Sequence, residues 1–353
     1  VSLHLKKDSN VDAVKFTGKE WVGEIPDGNA EHALDSVYAV NREAASSFST
    51  SSIIYNSEEN AVTGARDFKK EQSKYYQLLT GKDAADWSLT VFDNVNLIGE
   101  SYKNFYKTDY IADENGWKHN LQLPASWQYY GFDHSNYTNW EVPWRGDLNY
   151  NRDLDTVTYN PVGLYRKKFT VSDNLKQANG RIYLNFQGVE SAYYVYLNGK
   201  EVGYSADTFS PHSYDITDYL VDGENLLAVK VHKFSDGTYL ERQDMIYDGG
   251  IFRDVYLYAA PAVHIEDYRV VTNLTDDFKN AVLNLDVTVR NNAETAVSGY
   301  KVKITLLDAD KNVIFNDFNL SIEHIAEENK VTENGTVHGS VATVSGSREI
   351  KGP

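Results

Sequence analysis

From Ala84 onward the hydrophobic positions of this chain fall on alternate residues, the period of strands rather than helices. Leu226–Phe234 sets Leu227, Val229 and Val231 on one face, and Phe252–Tyr258 does the same with Val255 and Leu257. Alternation of this kind predicts strands that bury one side. Between the two runs a polar loop holding Asp236, Glu241, Arg242, Asp244 and Asp248, punctuated by Asp236-Gly237 and Asp248-Gly249-Gly250. A long polar loop carried by two core strands can present side chains to a ligand. It can equally be a solvated connection.

The same pattern predicts strands over Trp87–Phe92, Leu164–Val171 and Arg181–Phe186, the last with Ile182, Leu184 and Phe186 in step. Ala192–Leu197 runs into Asn198-Gly199, a strong hairpin signal, and Glu201–Ser205 is its return strand. Ala125 to Trp140 mixes aromatics and amides beside Gly and Pro, which is loop chemistry. Many short strands at this spacing indicate a sandwich or jelly roll. Upstream, Val1–Lys19 shows no clear periodicity, and Asp67–Leu79 can be read as a short helix with Phe68, Gln72, Tyr75 and Tyr76 near one face, though an extended arm packed on the body is the preferred reading of this region. Ala259-Ala260-Pro261 reads as a boundary. Beyond it Leu283, Leu285, Val287 and Val289 share one face, Val302, Ile304 and Leu306 share another, and Asp308–Asn312 forms a turn. That spacing suits an immunoglobulin-like sandwich without the Cys-Trp-Cys signature. The expected chain is all-β: an arm over residues 1–79 packed on the body, a jelly-roll domain over 80–260 and an immunoglobulin-like domain over 261–353.

Composition narrows the function classes. Aromatic residues make up 13% of the chain, with 26 Tyr, which suits half-buried sheets and also sugar stacking. The net charge is -17 with no Lys/Arg cluster, so nucleic acid and anionic membranes are excluded as expected partners. With no cysteine there is no disulfide, thiolate metal site or Cys nucleophile. No apolar run reaches transmembrane length. The start at Val1 and the absence of cysteine lean toward an extracellular or cell-surface location over a cytoplasmic one. No His-Glu-x-x-His, Gly-x-Ser-x-Gly or phosphate loop occurs. Asp308–Asn312 begins like a calcium loop, but Val313 and Asn319 stand where Gly and Glu are required. Glycoside hydrolysis needs two carboxyl groups about 5–5.5 Å apart for retention or about 6.5–9.5 Å for inversion, and no such pair stands out.

Several motifs in order carry a resemblance. They are Asn41-Arg42-Glu43, Leu123-Pro124-x-Ser126-Trp127-Gln128-x-x-Gly131 leading to Tyr137-Thr138-Asn139, and Asn160-Pro161-Val162-Gly163-Leu164-Tyr165. They continue with Gly188–Ala192, Asn198-Gly199-x-x-Val202-Gly203-Tyr204-Ser205, Ser235-Asp236-Gly237-Thr238-Tyr239-Leu240-Glu241, and Gly250-Ile251-Phe252-Arg253-Asp254-Val255. Over roughly residues 21–320 the chain resembles the N-terminal region of large bacterial β-galactosidases of glycoside hydrolase family 2. The resemblance implies a jelly-roll sugar-binding domain, an immunoglobulin-like domain and then a (β/α)8 barrel that carries both catalytic glutamates. This sequence stops short of any barrel, so it is expected to hold no catalytic residue and to be inactive alone. The resemblance gives Asn139 and Asp236 as substrate contacts, with Asp236 also a ligand in an incomplete sodium site. It implies sodium and magnesium for the parent enzyme, neither held tightly here, a galactoside substrate, the protein's own barrel as partner, and homo-oligomer contacts. A departure is Ile246, where the family often has Trp, and another is Trp140–Arg152, which replaces a proline-rich segment. On residue types alone Asp236 is also an ordinary Asp-Gly turn residue and Asn139 a loop cap. A stand-alone carbohydrate-binding module is the alternative function.

Overall fold

The computed structural model describes residues 47–48, 53–67, 69–113, 116–138, 159–239, 244–275, 277–327, 329–330, 337–338 and 340–351. The chain divides into two compact units, one from residues 1–49, 78–171 and 184–257, the other from 50–77, 172–183 and 258–353.

Both units are built from antiparallel strands. In the first, a six-stranded sheet runs Lys200–Ser205, Ala192–Leu197, Glu224–His232, Val162–Thr170, Trp87–Phe92, Lys118–Leu121. A second sheet contributes Ser47–Phe48, His212–Asp215, residues 184–186 and residues 255–257 to the same unit. Phe186 and Tyr214 of the second sheet meet Tyr193 of the first, with ring centroids 5.0 Å and 6.3 Å away. These faces form the core of the jelly-roll sandwich.

The alternation predicts one buried side for the strand after Leu226, and here the structure differs. Leu226, Leu227, Ala228, Val229 and Val231 are all buried. The second face is covered by the aromatic loop between Phe92 and Trp117. There Phe105 and Trp117 pack on Val162, Leu164 and Ala228, and Tyr106 stacks on Tyr196 at 4.7 Å. Arg166 pins this loop by donating to the carbonyl oxygens of Phe105, Lys107 and Tyr110.

The Asn198-Gly199 hairpin forms as expected, with both residues at positive φ, 52° and 82°. A helix over Asp67–Leu79, the less favoured of the two readings, does not form. A helix spans Glu58–Asp67 instead, and Tyr76–Leu78 is a strand. Ser57 starts that helix, its Oγ accepting from the Asn60 N–H at 3.2 Å, the capping geometry that satisfies a first-turn donor. The later segment is claimed by backbone bonds from Leu79 to Val255 and from Ala259 to Tyr75, which outweigh local preference.

Residues 258–353 supply the second, immunoglobulin-like sandwich. Val263–Leu274, Asn280–Asn291 and Ser340–Lys351 make one sheet, and Val297–Leu307 with Val313–Ile325 makes the other. Leu285, Val287 and Val289 pack against Val302, Leu320 and Ile322 between them. The Asp308 carboxylate accepts from the Asp310 and Asn312 N–H groups, closing a hairpin turn. Among the described residues no helix is long and apolar enough to cross a membrane.

Candidate functional site

The site begins where the Glu224–His232 strand leaves the six-stranded sheet. This strand pairs on both sides, with Val162–Thr170 and Ala192–Leu197, and so is fixed along its length. The three residues that follow are held as firmly. The Lys233 N–H donates to the Pro161 carbonyl at 2.9 Å. The Asn160 side chain both donates to the Phe234 carbonyl and accepts its N–H, each at 3.1 Å. Ser235 and Thr238 close a reciprocal turn: the Ser235 N–H donates to Thr238 Oγ1, and the Thr238 N–H to the Ser235 carbonyl, both at 3.0 Å. Asp236 opens the 3-10 turn Asp236–Tyr239 that this bond closes. Its side chain lies outside the described residues.

The second expected contact, Asn139, also lies outside the described residues. The strand that leads to it, Asn136–Thr138, pairs antiparallel with Met245–Tyr247 in a two-stranded ribbon. Tyr137 and Ile246 face each other there, both exposed, and the Tyr137 hydroxyl donates to Asp244 Oδ1 at 2.6 Å.

One buried side chain ties the two segments together. Lys233, three residues before Asp236, has no solvent exposure, and the Asp133 side chain is 2% exposed. The Lys233 ammonium donates to Asp133 Oδ2 at 2.6 Å, Asn136 Oδ1 at 2.6 Å and the His134 carbonyl at 2.8 Å. A fourth, longer bond runs to the Tyr159 hydroxyl at 3.2 Å, so the three protons are shared among four acceptors. Asp133 in turn accepts from Lys233, Gln128 Nε2 at 2.8 Å, Trp127 Nε1 at 3.2 Å and the Tyr159 hydroxyl at 2.5 Å. A carboxylate offers roughly four acceptor positions, so nothing in the cluster is left wanting. Burial alone would raise the Asp133 carboxyl, but the bonds from Lys233 and Tyr159 outweigh it and hold the group below the ordinary carboxylate range. Burial draws Lys233 down from the ordinary lysine value, opposed by Asp133, Asp248 and Glu190.

Trp127 is the packing centre beside this cluster. It is fully buried, and its backbone N–H donates to the Gly249 carbonyl at 3.0 Å. A Cβ on Gly249 would overlap the indole, and one on Gly163 would come within 2.6 Å of it. Both glycines are therefore required by close approach rather than by turn geometry. Sequence reasoning singled out Trp127 and both glycine motifs but not Lys233, Asp133 or Tyr159. The available signal was parity: Lys233 continues the positions of Leu227, Val229 and Val231.

Among the described residues no group of three or more His, Cys, Asp or Glu is arranged to hold a metal ion.

Comparison with known proteins gives three results. Residues 84–261 match the model of "Glycosyl hydrolases family 2, sugar binding domain". Among curated proteins, a β-galactosidase of Clostridium acetobutylicum is 44% identical over 224 residues, 64% of this chain and 24% of that protein. One of Priestia megaterium is 37% identical over 241 residues, 68% of this chain and 22% of that protein. The chain thus spans less than a quarter of the length of these two relatives. Among solved structures, Bacteroides uniformis β-glucuronidase 2 is similar with a TM-score of 0.55 at 19% identity, over 79% of this chain and 28% of that one. At that identity the likeness is one of fold.

Proposed function

This chain belongs to glycosyl hydrolase family 2 and carries the family's sugar binding domain, and on that premise we propose that it is the non-catalytic N-terminal part of a retaining β-galactosidase. Its domains are an arm over residues 1–79, the sugar-binding domain over 80–260 and the immunoglobulin-like domain over 261–353. Its work is to lend Asp236 and Asn139 to an active site whose two glutamates reside in a (β/α)8 barrel outside this sequence. The observation that carries the reading is that the family match over 84–261 takes in both residues. The 44% identity to a protein named β-galactosidase favours galactosides over other sugars.

The chemistry is consistent. A carboxylate at Asp236 can accept paired hydrogen bonds from vicinal sugar hydroxyls, and Asn139 offers donor and acceptor together. A hard cation such as sodium takes oxygen ligands, so Asp236 would supply one of them and residues of the barrel the others. Hydrolysis itself, through a covalent glycosyl intermediate, belongs to the barrel.

The test is kinetic. The complete protein, expressed from its full reading frame, is expected to hydrolyse lactose and aryl β-galactosides, with Asp236→Ala lowering kcat/KM about 100-fold or more, the scale of a lost positioning contact. This chain alone is expected to show no turnover and no calorimetric galactose binding. Galactose binding by this chain alone would favour the carbohydrate-binding module instead.

A further inference from the structure

The Lys233 cluster does more than fill the sandwich. A buried ion pair is often no more stabilising than apolar side chains of the same volume, so stability does not account for it. What an ammonium supplies is direction. Its three protons reach Asp133, Asn136 and the His134 carbonyl, all in the segment that enters the Asn136–Thr138 strand. Its own backbone N–H is bound to Pro161, one residue after Asn160, which clamps Phe234. No apolar residue could register these segments against one another.

We propose that Lys233, oriented by Asp133, is a positioning residue for substrate: it fixes the Ser235–Thr238 turn, and with it the backbone of Asp236, against the Asn136–Thr138 strand. This rests on the reading of Asp236 as a galactoside contact. Lys233 itself touches no substrate. Its role is to keep the turn and the strand in one register, so that two separate loops act as a single sugar-contact surface.

The experiment uses the complete enzyme and five variants: Asp236→Ala, Asn136→Ala, Lys233→Arg, the pair Lys233→Met/Asp133→Asn, and that pair combined with Asp236→Ala. Asn136→Ala keeps the ion pair and removes the strand's acceptor for Lys233, together with a bond from the Tyr159 hydroxyl, so it serves even where the charge-free pair folds poorly. Far-UV circular dichroism and thermal melting report folding, and kcat and KM are measured separately on an aryl β-galactoside. The expected result is a fall in kcat/KM of about tenfold or more for Asn136→Ala and for the pair, the scale expected of a misplaced contact. In the Asp236→Ala background the pair should add little further loss, because both changes remove the same contact. Lys233→Arg should recover part of the activity. Folded variants with unchanged kcat/KM, or losses that multiply with that of Asp236→Ala, would overturn the inference while leaving Asp236 a contact. An Asp236→Ala enzyme with unchanged kcat/KM would overturn both.

Discussion

A lysine without solvent is tolerable only while a carboxylate stands beside it. Removing Lys233 alone strands Asp133 as a buried, unpaired charge, and such losses run to about 3–5 kcal/mol. Lys233→Met is therefore expected to lower the urea midpoint strongly, and adding Asp133→Asn to restore much of it. Equal midpoints for the single and double variants would contradict this. His232, one residue earlier, is a second buried group with consequences. Burial, helped by the nearby Lys230, lowers its pKa to about 3, so the folded protein keeps it neutral while the unfolded chain binds a proton below its ordinary value of 6.5. Its contribution is complete above that value and is lost as pH falls toward about 3. His232→Leu is expected to flatten the decline of the denaturation midpoint between pH 6.5 and pH 4. Lys233 stands in step with Leu227, Val229 and Val231, a signal that the reading of the sequence passed over. Its partner left no such signal, because Asp133 lies 100 residues away and no local spacing links the two.

Elements were legible to the extent that one rule governed them. Ala192–Leu197 and Lys200–Ser205 follow from alternation plus Asn198-Gly199, and the structure forms that hairpin. The double-sided burial of the central strand did not follow, because its second cover is the aperiodic Phe92–Trp117 loop. The helix over Glu58–Asp67 escaped notice because its main signal is the single capping residue Ser57. The elements around Trp127 meet through a large ring and two glycines, which makes the joint sensitive to size in both directions. Trp127→Ala is expected to cost about 3–5 kcal/mol through the cavity it leaves. Gly249→Ala is expected to cost about 1–3 kcal/mol by overpacking the ring. In the Trp127→Ala background the Gly249→Ala cost should shrink, since the clash has gone, and chemical denaturation of the four proteins measures that coupling.

On the scale of the whole molecule the two units differ in what sustains them. In the unit that contains residues 258–353, Arg290 holds Glu266 through Nε at 2.9 Å and Nη2 at 3.0 Å, and His264 stands 3.1 Å away. Burial would raise the Glu266 carboxyl, but these partners lower it from 4.5 to about 2. The stability it contributes is present above pH 4.5 and lost as pH falls toward about 2. Glu266→Gln is expected to weaken the acid dependence of unfolding in that window, with little effect on the cluster at Lys233. The turn that carries Asp236 has a different consequence. Loops ordinarily exchange their amide protons quickly because they open without the rest of the fold. Here the N–H groups of Lys233, Phe234, Ser235 and Thr238 all have fixed acceptors. Hydrogen–deuterium exchange should therefore find this turn protected nearly as well as the central strand, releasing its protons only when the sandwich unfolds. Under the proposed role of Asp236, a sugar arriving there would meet a backbone already ordered, and its binding would forfeit little chain entropy.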